Sequence, residues 1–222
     1  MSFKEKDLFI FDLDGTLVDA YKAIEQSLNF TRKKFGLTPI DYNTAKRNVG
    51  KGDKPFVDMF FPKELRDKAV DVYREHHKQA IKRFAQPKEY AKMLLYRLKQ
   101  KGKLLAIASN RPAFYTDIIL KNLDMKKYFD CVLCADDVNS WKPKPKILQE
   151  VLTRLKVPKE KAVYTGDMDV DLETAKRAKM EAIFIAGGSS PLSDVKQYKN
   201  KIVVHSLKEL YGLVNGKVKR WD

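Results

Sequence analysis

Residues 9–16 read Phe-Ile-Phe-Asp-Leu-Asp-Gly-Thr, an apolar run that stops on two aspartates, a glycine and a threonine. Successive side chains of a strand face opposite ways, so Asp12 and Asp14 converge on one site only if the strand ends there and the chain turns. Gly15 permits such a turn. The stretch therefore predicts two carboxylates at the C-terminal end of a buried strand, which is where open parallel sheets bind ligands. Such a pair favours a hard cation and a phosphoryl group.

Short apolar, β-branched runs recur along the chain, with helical patterns between them. This alternation predicts an α/β fold, in which a Rossmann-like parallel sheet carries helices on both faces. The predicted strands are residues 8–13, 104–108, 131–133, 162–165, 182–185 and 202–204.

The first two predicted strands are separated by about ninety residues, whereas a simple crossover needs roughly thirty. The intervening pattern is almost wholly helical, which predicts a small α-helical domain inserted into the α/β core. Its predicted helices are residues 20–35, 42–48, 54–60 and 64–84. The predicted division is a core of residues 1–18 and 88–222 and a helical domain of residues 19–87, with hinges near 18–19 and 85–88.

The segment Asp-Leu-Asp-Gly-Thr resembles the first signature of the haloacid dehalogenase superfamily, whose phosphatases transfer a phosphoryl group through an aspartyl-phosphate. Further signatures of that family follow in the right order. They are Ser109-Asn110-Arg111 after an apolar run, Lys142 in Lys-Pro-Lys-Pro, and Gly-Asp-Met-Asp-Val-Asp at residues 166–171. In relatives with a helical insert after the first signature, the insert is a cap that closes over the active site and carries substrate specificity.

The resemblance implies catalytic roles for four residues. Asp12 is the expected nucleophile, because an ionised carboxylate can attack phosphorus and divide one difficult hydrolysis into two displacements. Asp14 is the expected general acid and then base. Ser109 is expected to hydrogen-bond the phosphoryl group without adding charge. Lys142 is expected to neutralise the nucleophile and the phosphate, with the neighbouring prolines fixing its loop.

The residues beside these four are candidates for substrate binding. Gly15, Thr16 and Asn110 are expected to contact phosphate oxygens, although Thr16 could equally cap the following helix. Arg111 differs from the residues common at its position in the family. Its role stays open between phosphate recognition and a surface cation before a proline.

Four aspartates are the expected metal ligands: Asp12, Asp14 through its backbone carbonyl, Asp167, and Asp171. Asp171 would ligate through water or orient Lys142. Together with waters and a phosphate oxygen, these groups offer the hard oxygen ligands that Mg²⁺ prefers. The expected cofactor is therefore Mg²⁺, which would stabilise charge on the transferring group.

Residues 47–52, Arg-Asn-Val-Gly-Lys-Gly, resemble the substrate-specificity loop of phosphoglycolate phosphatases, although an ordinary interhelical turn has the same composition. The expected partner is a small phosphorylated metabolite, phosphoglycolate first, with Arg47 or Lys51 meeting its carboxylate. Three alternatives remain. They are a sugar-phosphate mutase of the same family, a phosphatase acting on pyrophosphate or nucleotides, and a basic binding protein without turnover.

The 222 residues carry 44 Lys and Arg against 29 Asp and Glu, a net charge of +15. The cations are spread over helix faces and both ends rather than gathered with aromatic residues, which argues against a nucleic-acid partner. No apolar stretch approaches the roughly 20 residues of a membrane span, and the start does not resemble a signal peptide. A cytoplasmic protein with no membrane partner is expected, and its oligomeric state is open.

The two cysteines, Cys131 and Cys134, lie in one predicted strand, and their spacing points the side chains to opposite faces. Buried, reduced thiols are expected rather than a disulfide or a zinc site. Residues 215–222 read as a frayed basic tail that Trp221 could dock.

Overall fold

The computed structural model describes residues 5–199 and 201–216. Within these residues, one sheet is formed by six parallel strands: β1 Leu8–Phe11, β4 Leu104–Ser109, β5 Cys131–Cys134, β6 Ala162–Gly166, β7 Glu181–Ile185 and β8 Lys201–Val204. Their order across the sheet is β5-β4-β1-β6-β7-β8. The predicted α/β fold with a parallel sheet is confirmed.

Strand β1 lies in the middle of the sheet, between β4 and β6. Phe11 at its end pairs with Ile107 of β4 and with Thr165 of β6. Because the three strands run parallel and in register, the loops that follow them open at the same edge. This edge is the position that the sequence predicts for the paired aspartates.

Helices cover both faces of the sheet because alternate strand residues face opposite ways. In β1, Phe9 and Phe11 pack with α5, α6 and α9, whereas Leu8 and Ile10 pack with α7 and α8. These helices are α5 Ala91–Gln100, α6 Ala113–Asn122, α7 Lys146–Leu155, α8 Asp169–Arg177 and α9 Leu207–Val214.

Five of the described α-helices lie between β1 and β4, and the first four form what is called here the insert, residues 20–85. They are α1 Tyr21–Lys34, α2 Tyr42–Arg47, α3 Asp53–Asp58 and α4 Arg66–Phe84. The insert has an apolar cluster of its own, which includes Leu28, Phe56 and Val70. The predicted division into two domains, with the insert as a cap, stays a prediction.

The chain enters the insert through β2 Val18–Asp19 and leaves it through β3 Gln86–Pro87. These two short strands form an antiparallel pair, with Val18 opposite Pro87. The segments predicted as hinges are therefore hydrogen-bonded to each other.

The predicted elements differ from the observed ones at their ends. The first strand was expected to reach residue 13 but ends at Phe11, because the chain turns at Asp12 and Gly15 has a φ of +80°. The predicted helix of residues 64–84 begins with a 3₁₀ turn, Lys63–Leu65, before α4. The other insert helices begin and end within two residues of their predicted bounds.

Both cysteines are free thiols, as expected. Burial raises the pKa of Cys134 to about 12. Cys131 is only half-buried, so the prediction of two buried thiols is wrong for that residue. Of the predicted tail, residues 217–222 lie outside the described residues. None of the described helices is both long and apolar enough to cross a membrane.

Candidate active site

The turn after β1 places the first two aspartates. The backbone N–H of Asp12 donates to Thr165 O over 2.8 Å, which ties the end of β1 to β6. Gly15 then reverses the chain at positive φ. A side chain here would meet the carboxylate of Asp167, since a Cβ would lie 2.3 Å from Oδ2. Glycine is therefore required both by the turn and by the close approach of a second acid.

Lys142 reaches the nucleophile candidate from the loop before α7. Its backbone N–H donates to Asn110 Oδ1, and its peptide bond to Pro143 is cis. Its Nζ lies 2.9 Å from Asp12 Oδ1 and 2.6 Å from Asp171 Oδ1. Burial disfavours the ammonium ion, but the two carboxylates outweigh it, so the pKa of Lys142 lies well above its usual range.

Tyr164 of β6 completes this charge cluster. Its hydroxyl accepts a hydrogen bond from Lys142 Nζ at 2.9 Å and lies within donor reach of both Ala108 O and Asp171 Oδ1. Burial raises the pKa of Tyr164 well above its usual range, so the hydroxyl keeps its proton. The tyrosine thus fixes the position of the lysine that faces Asp12.

Asp167 follows β6 and is fully buried. Its Oδ1 accepts from Thr16 Oγ1 over 2.9 Å, and its Oδ2 accepts from Ser189 N over 2.8 Å and from Tyr21 OH over 3.2 Å. Burial, with help from the charges of Asp171 and Asp12, raises the pKa of Asp167 to about 7. A nearby cation would stabilise the ionised form of such a buried carboxyl group.

Three of the predicted metal ligands meet at one point. Carboxylate oxygens of Asp12, Asp167 and Asp171 all lie within 4.8 Å of one another, and all three residues are buried. Asp12 Oδ1 receives no aligned hydrogen bond from any described residue and has only its ion pair with Lys142. This oxygen-rich, electron-rich cluster fits a hard divalent cation.

Both carboxylate oxygens of Asp171 accept hydrogen bonds from other groups of the protein. Its Oδ2 accepts from the backbone N–H groups of Asp167 and Met168, and its Oδ1 contacts Lys142 and Tyr164. Of its two expected roles, orienting Lys142 is the one that these contacts support.

Two residues that are predicted to bind the substrate, Thr16 and Asn110, donate side-chain hydrogen bonds to other groups of the protein. Thr16 donates to Asp167, and it does not cap α1, which begins at Tyr21 after Ala20. Asn110 Nδ2 donates to Gly50 O over 2.7 Å, which connects the core to the insert. The binding of phosphate by Thr16 and Asn110 stays a prediction.

Ser109 lies at the end of β4 and lines the cleft with Asp12 and Asp14. Its Oγ accepts from the backbone N–H of Arg111 over 3.3 Å, which leaves the hydroxyl proton available to a ligand. This geometry suits the role expected from the sequence.

Arg111 is buried, with 8% of its surface exposed, so the interpretation of this residue as a surface cation is wrong. Its guanidinium is bidentate to Asp14, with Nε 2.6 Å from Oδ2 and Nη2 3.0 Å from Oδ1. Burial raises the pKa of Asp14 above its usual value, although the positive charge of Arg111 acts in the opposite direction. A proton on Asp14 is therefore easier to retain than on an ordinary aspartate.

Asp12, Asp14 and Lys142 line a cleft that is open to solvent. The insert supplies one wall, mostly apolar and aromatic, with Ile24, Val49, Gly50, Phe56, Tyr73 and His77. Arg47 and Lys51 are exposed and are not among the residues that line the cleft, so their contact with a substrate stays a prediction.

Comparison with known proteins agrees with this arrangement. The chain matches the family described as haloacid dehalogenase-like hydrolase over residues 9–185, which is most of its length. This chain belongs to the haloacid dehalogenase-like hydrolases.

Relatives within this family are named as phosphatases. A phosphoglycolate phosphatase from Aquifex aeolicus is 32% identical over 77% of this chain and 80% of its own length. The pyrophosphatase PpaX of Oceanobacillus iheyensis is 24% identical over 92% of this chain and 95% of its own length. These similarities support the assignment of this hydrolase to the phosphatases of the family.

The solved structures agree on the fold. A predicted phosphoglycolate phosphatase from Haemophilus somnus superimposes with a TM-score of 0.86 at 19% identity, covering 93% of this chain and 96% of that one. At this identity the likeness shows that this haloacid dehalogenase-like hydrolase shares the fold.

Several residues that hold the site of this hydrolase are missed by sequence reasoning. Tyr164 looks like any strand residue, and Tyr21 like the start of an amphipathic helix. Gly188 makes room for Asp167, since a Cβ there would lie 2.0 Å from its Oδ2. The nearest available signal is the Gly-Gly-Ser-Ser sequence after β7, which marks a tight loop at the edge where the site lies.

Proposed function

We propose that this protein is a Mg²⁺-dependent phosphatase that hydrolyses a small phosphorylated acid through an aspartyl-phosphate, with phosphoglycolate as the first candidate substrate. The observation that carries the proposal is the convergence of Asp12, Asp14 and Lys142 on one cleft, with Lys142 Nζ 2.9 Å from Asp12 Oδ1. The similarity to phosphoglycolate phosphatases supports the choice of substrate.

In the first displacement, an oxygen of Asp12 attacks phosphorus and the bond to the leaving oxygen breaks. Asp14, as the general acid, gives its proton to that leaving oxygen. The Ser109 hydroxyl donates to an oxygen of the transferring group. Lys142 holds Asp12 in place through their ion pair.

In the second displacement, Asp14 is a carboxylate and takes a proton from water. The oxygen of that water attacks phosphorus, the bond to Asp12 breaks, and inorganic phosphate leaves. Both aspartates return to their starting states. Asp12 and Asp167 would hold Mg²⁺, which offsets the negative charge that accumulates on the phosphoryl oxygens.

Pyrophosphate is the second candidate substrate. It is favoured by the similarity to pyrophosphatases and by a buried arginine, Arg111, beside the two aspartates. Both candidates carry a second anionic group on the part of the molecule that leaves.

The test is a panel of phosphorylated compounds with the purified protein, in Mg²⁺ and again in excess chelator. Phosphate release should be fastest with phosphoglycolate or pyrophosphate and should stop in chelator. Product analysis with a hexose 1-phosphate distinguishes a mutase, which would yield an isomeric phosphate instead of free phosphate. A preference for neutral sugar phosphates would contradict the proposed substrate class.

A further inference from the structure

Arg111 is a buried cation in the cleft to which the two displacements assign no role. Its Nε and one N–H of Nη2 hold both oxygens of Asp14. A bidentate pair of this kind fixes the orientation of the guanidinium relative to the carboxylate. Asp14, which belongs to the core, thereby orients the arginine.

The insert orients the same arginine from the other side. Nη1 of Arg111 lies 3.0 Å from His77 Nε2. Because a guanidinium can only donate, this histidine nitrogen must accept, and the ring proton must lie on Nδ1. His77 Nδ1 then donates to Ser27 Oγ over 3.0 Å, and Ser27 donates to Ala23 O over 2.8 Å. Every member of this chain is satisfied.

Two N–H bonds of Arg111 remain. A guanidinium has five, and only three have acceptors among the described residues. One of the remaining two lies on each terminal nitrogen, and the residue lines the cleft. The arginine can therefore bind an oxyanion without releasing Asp14.

Tyr73 of α4 offers a second donor in the same part of the cleft. It is 2% exposed, and its ring stacks on His77 with centroids 4.9 Å apart. Its hydroxyl makes no hydrogen bond with another described residue, and the residue lines the cleft. This hydroxyl is therefore free to donate to an oxygen of a ligand in the cleft.

The other charged side chains that line the cleft do not compete for an anion, and Ser109 is assigned to the transferring phosphoryl group. Lys142 is paired with Asp12 and Asp171. Asp53, an acid on the insert side, is itself held by Arg74 at 2.6 Å. The apolar residues of the insert wall offer no donor side chains.

We infer that Arg111 and Tyr73 form the subsite for the anionic group of the leaving molecule, a carboxylate in phosphoglycolate. The inference rests on the proposed function. It assigns recognition of the substrate's anionic group to Arg111 and Tyr73 instead of Arg47 and Lys51. A phosphate oxyanion of pyrophosphate has the same chemistry, so the substrates used in the test distinguish the two sources.

The test compares phosphoglycolate with ethyl phosphate, which lacks the carboxylate, as the ratio of their kcat/KM values. Tyr73→Phe should lower this ratio about fivefold, because a site built to hydrogen-bond its substrate loses one donor. Arg111→Lys should lower it about tenfold or more, since a lysine cannot hold Asp14 and a second oxyanion in one fork. Loss of Asp14 positioning slows both substrates and cancels in the ratio.

Lys51→Ala tests the competing assignment, and Lys63→Ala, an exposed charge removed elsewhere in the insert, controls for net charge. An unchanged ratio in Tyr73→Phe and Arg111→Lys, or a fall in Lys51→Ala instead, would overturn the inference. If pyrophosphate is the preferred substrate, its ratio to ethyl phosphate should fall in the same two variants, and the anion is then phosphate.

A binding measurement separates this inference from the proposed function. Calorimetry of phosphoglycolate with Asp12→Asn protein needs no turnover, and adding Tyr73→Phe should weaken binding about fivefold. Absence of phosphate release from the whole panel would end the proposed function. Equal affinity for phosphoglycolate in the Asp12→Asn variant and in the variant that also carries Tyr73→Phe would contradict the proposed subsite. Should Arg111→Lys fail to fold, the tyrosine variant alone decides.

Discussion

The sheet edge and the insert build opposite walls of one cleft in different ways. At the sheet edge, Asp167, Asp171 and Lys142 are all buried and interlinked by short polar contacts. On the insert side the wall is apolar and aromatic, and Tyr73 and His77 are its polar side chains among the described lining residues other than the paired Asp53. Under the proposed function, the core would hold the reactive groups, whereas the insert would shape the space for the leaving group.

The largest effect is expected when the nucleophile candidate is removed from the core wall. Asp12→Asn should lower kcat at least about a thousandfold, because an amide does not attack phosphorus as a carboxylate does. Phosphate release with the preferred substrate measures the effect, and thermal unfolding shows that the variant still folds.

Asp169→Asn is the matched control. It makes the same change in another of the acidic segments, Gly-Asp-Met-Asp-Val-Asp, but Asp169 is exposed and lies at the start of α8. Activity of Asp12→Asn comparable to this control would mean that another group attacks phosphorus.

A smaller effect is expected when one carbon is added to the core wall. Gly188→Ala places a Cβ 2.0 Å from Asp167 Oδ2, so the carboxylate must move. We expect the Mg²⁺ concentration for half-maximal activity to rise about 10- to 100-fold, as when groups that orient a metal ligand are disturbed. Calorimetric titration with Mg²⁺ in the absence of substrate measures the same change independently.

Gly187→Ala is the control for this variant. Its φ of +86° makes a side chain strained, but nothing lies within 4 Å of the added carbon. We expect about 1–2 kcal/mol of lost stability with unchanged Mg²⁺ affinity. Equal Mg²⁺ affinity in both variants would show that Gly188 does not position Asp167.

The contribution of the core was largely predictable from sequence because several of its site residues lie at the end of a strand or directly after it. Asp12, Ser109 and Asp167 come after apolar runs, and parallel strands bring their ends together. The role of Gly188 was not predictable, since no spacing rule connects its loop to a carboxylate after β6. The half-buried state of Cys131 likewise depends on which neighbours cover the strand.

The insert wall was less predictable, for a physical reason. His77 and Tyr73 are spaced as neighbours on one face of α4, which a periodic pattern indicates. What that face meets is decided by tertiary packing, and neither the pairing of His77 with Arg111 nor the exposure of Arg47 and Lys51 follows from periodicity.

The smallest expected effect concerns the acid sensitivity of the insert contact. Burial, Arg111 and His76 hold the pKa of His77 well below its usual range, with Tyr73 and Tyr115 packed against the ring. Below about pH 6.5 the unfolded chain therefore binds a proton that the folded protein does not, and stability is lost as the pH falls. The loss is about 1.4 kcal/mol by pH 5.5.

His77→Gln keeps an acceptor for Arg111 but does not titrate. Denaturant unfolding at about pH 7.5 and 5.5 should show that the variant loses about 1.4 kcal/mol less stability than the parent over this interval. The other titrating groups are common to both proteins and cancel in the difference. An identical loss in both would mean that His77 takes up its proton in the folded state.

The pairing of β2 with β3 also has a consequence for how the chain folds. β1 and β4 are neighbours in the sheet although about ninety residues separate them, and closing so long a loop costs entropy. Once Val18 and Pro87 are paired, the insert is already a closed loop, and the segment left between the two sheet strands is short. The effective chain length between β1 and β4 is then that of a simple crossover. Helices could therefore be added to or removed from the insert with little effect on the rate at which the sheet forms.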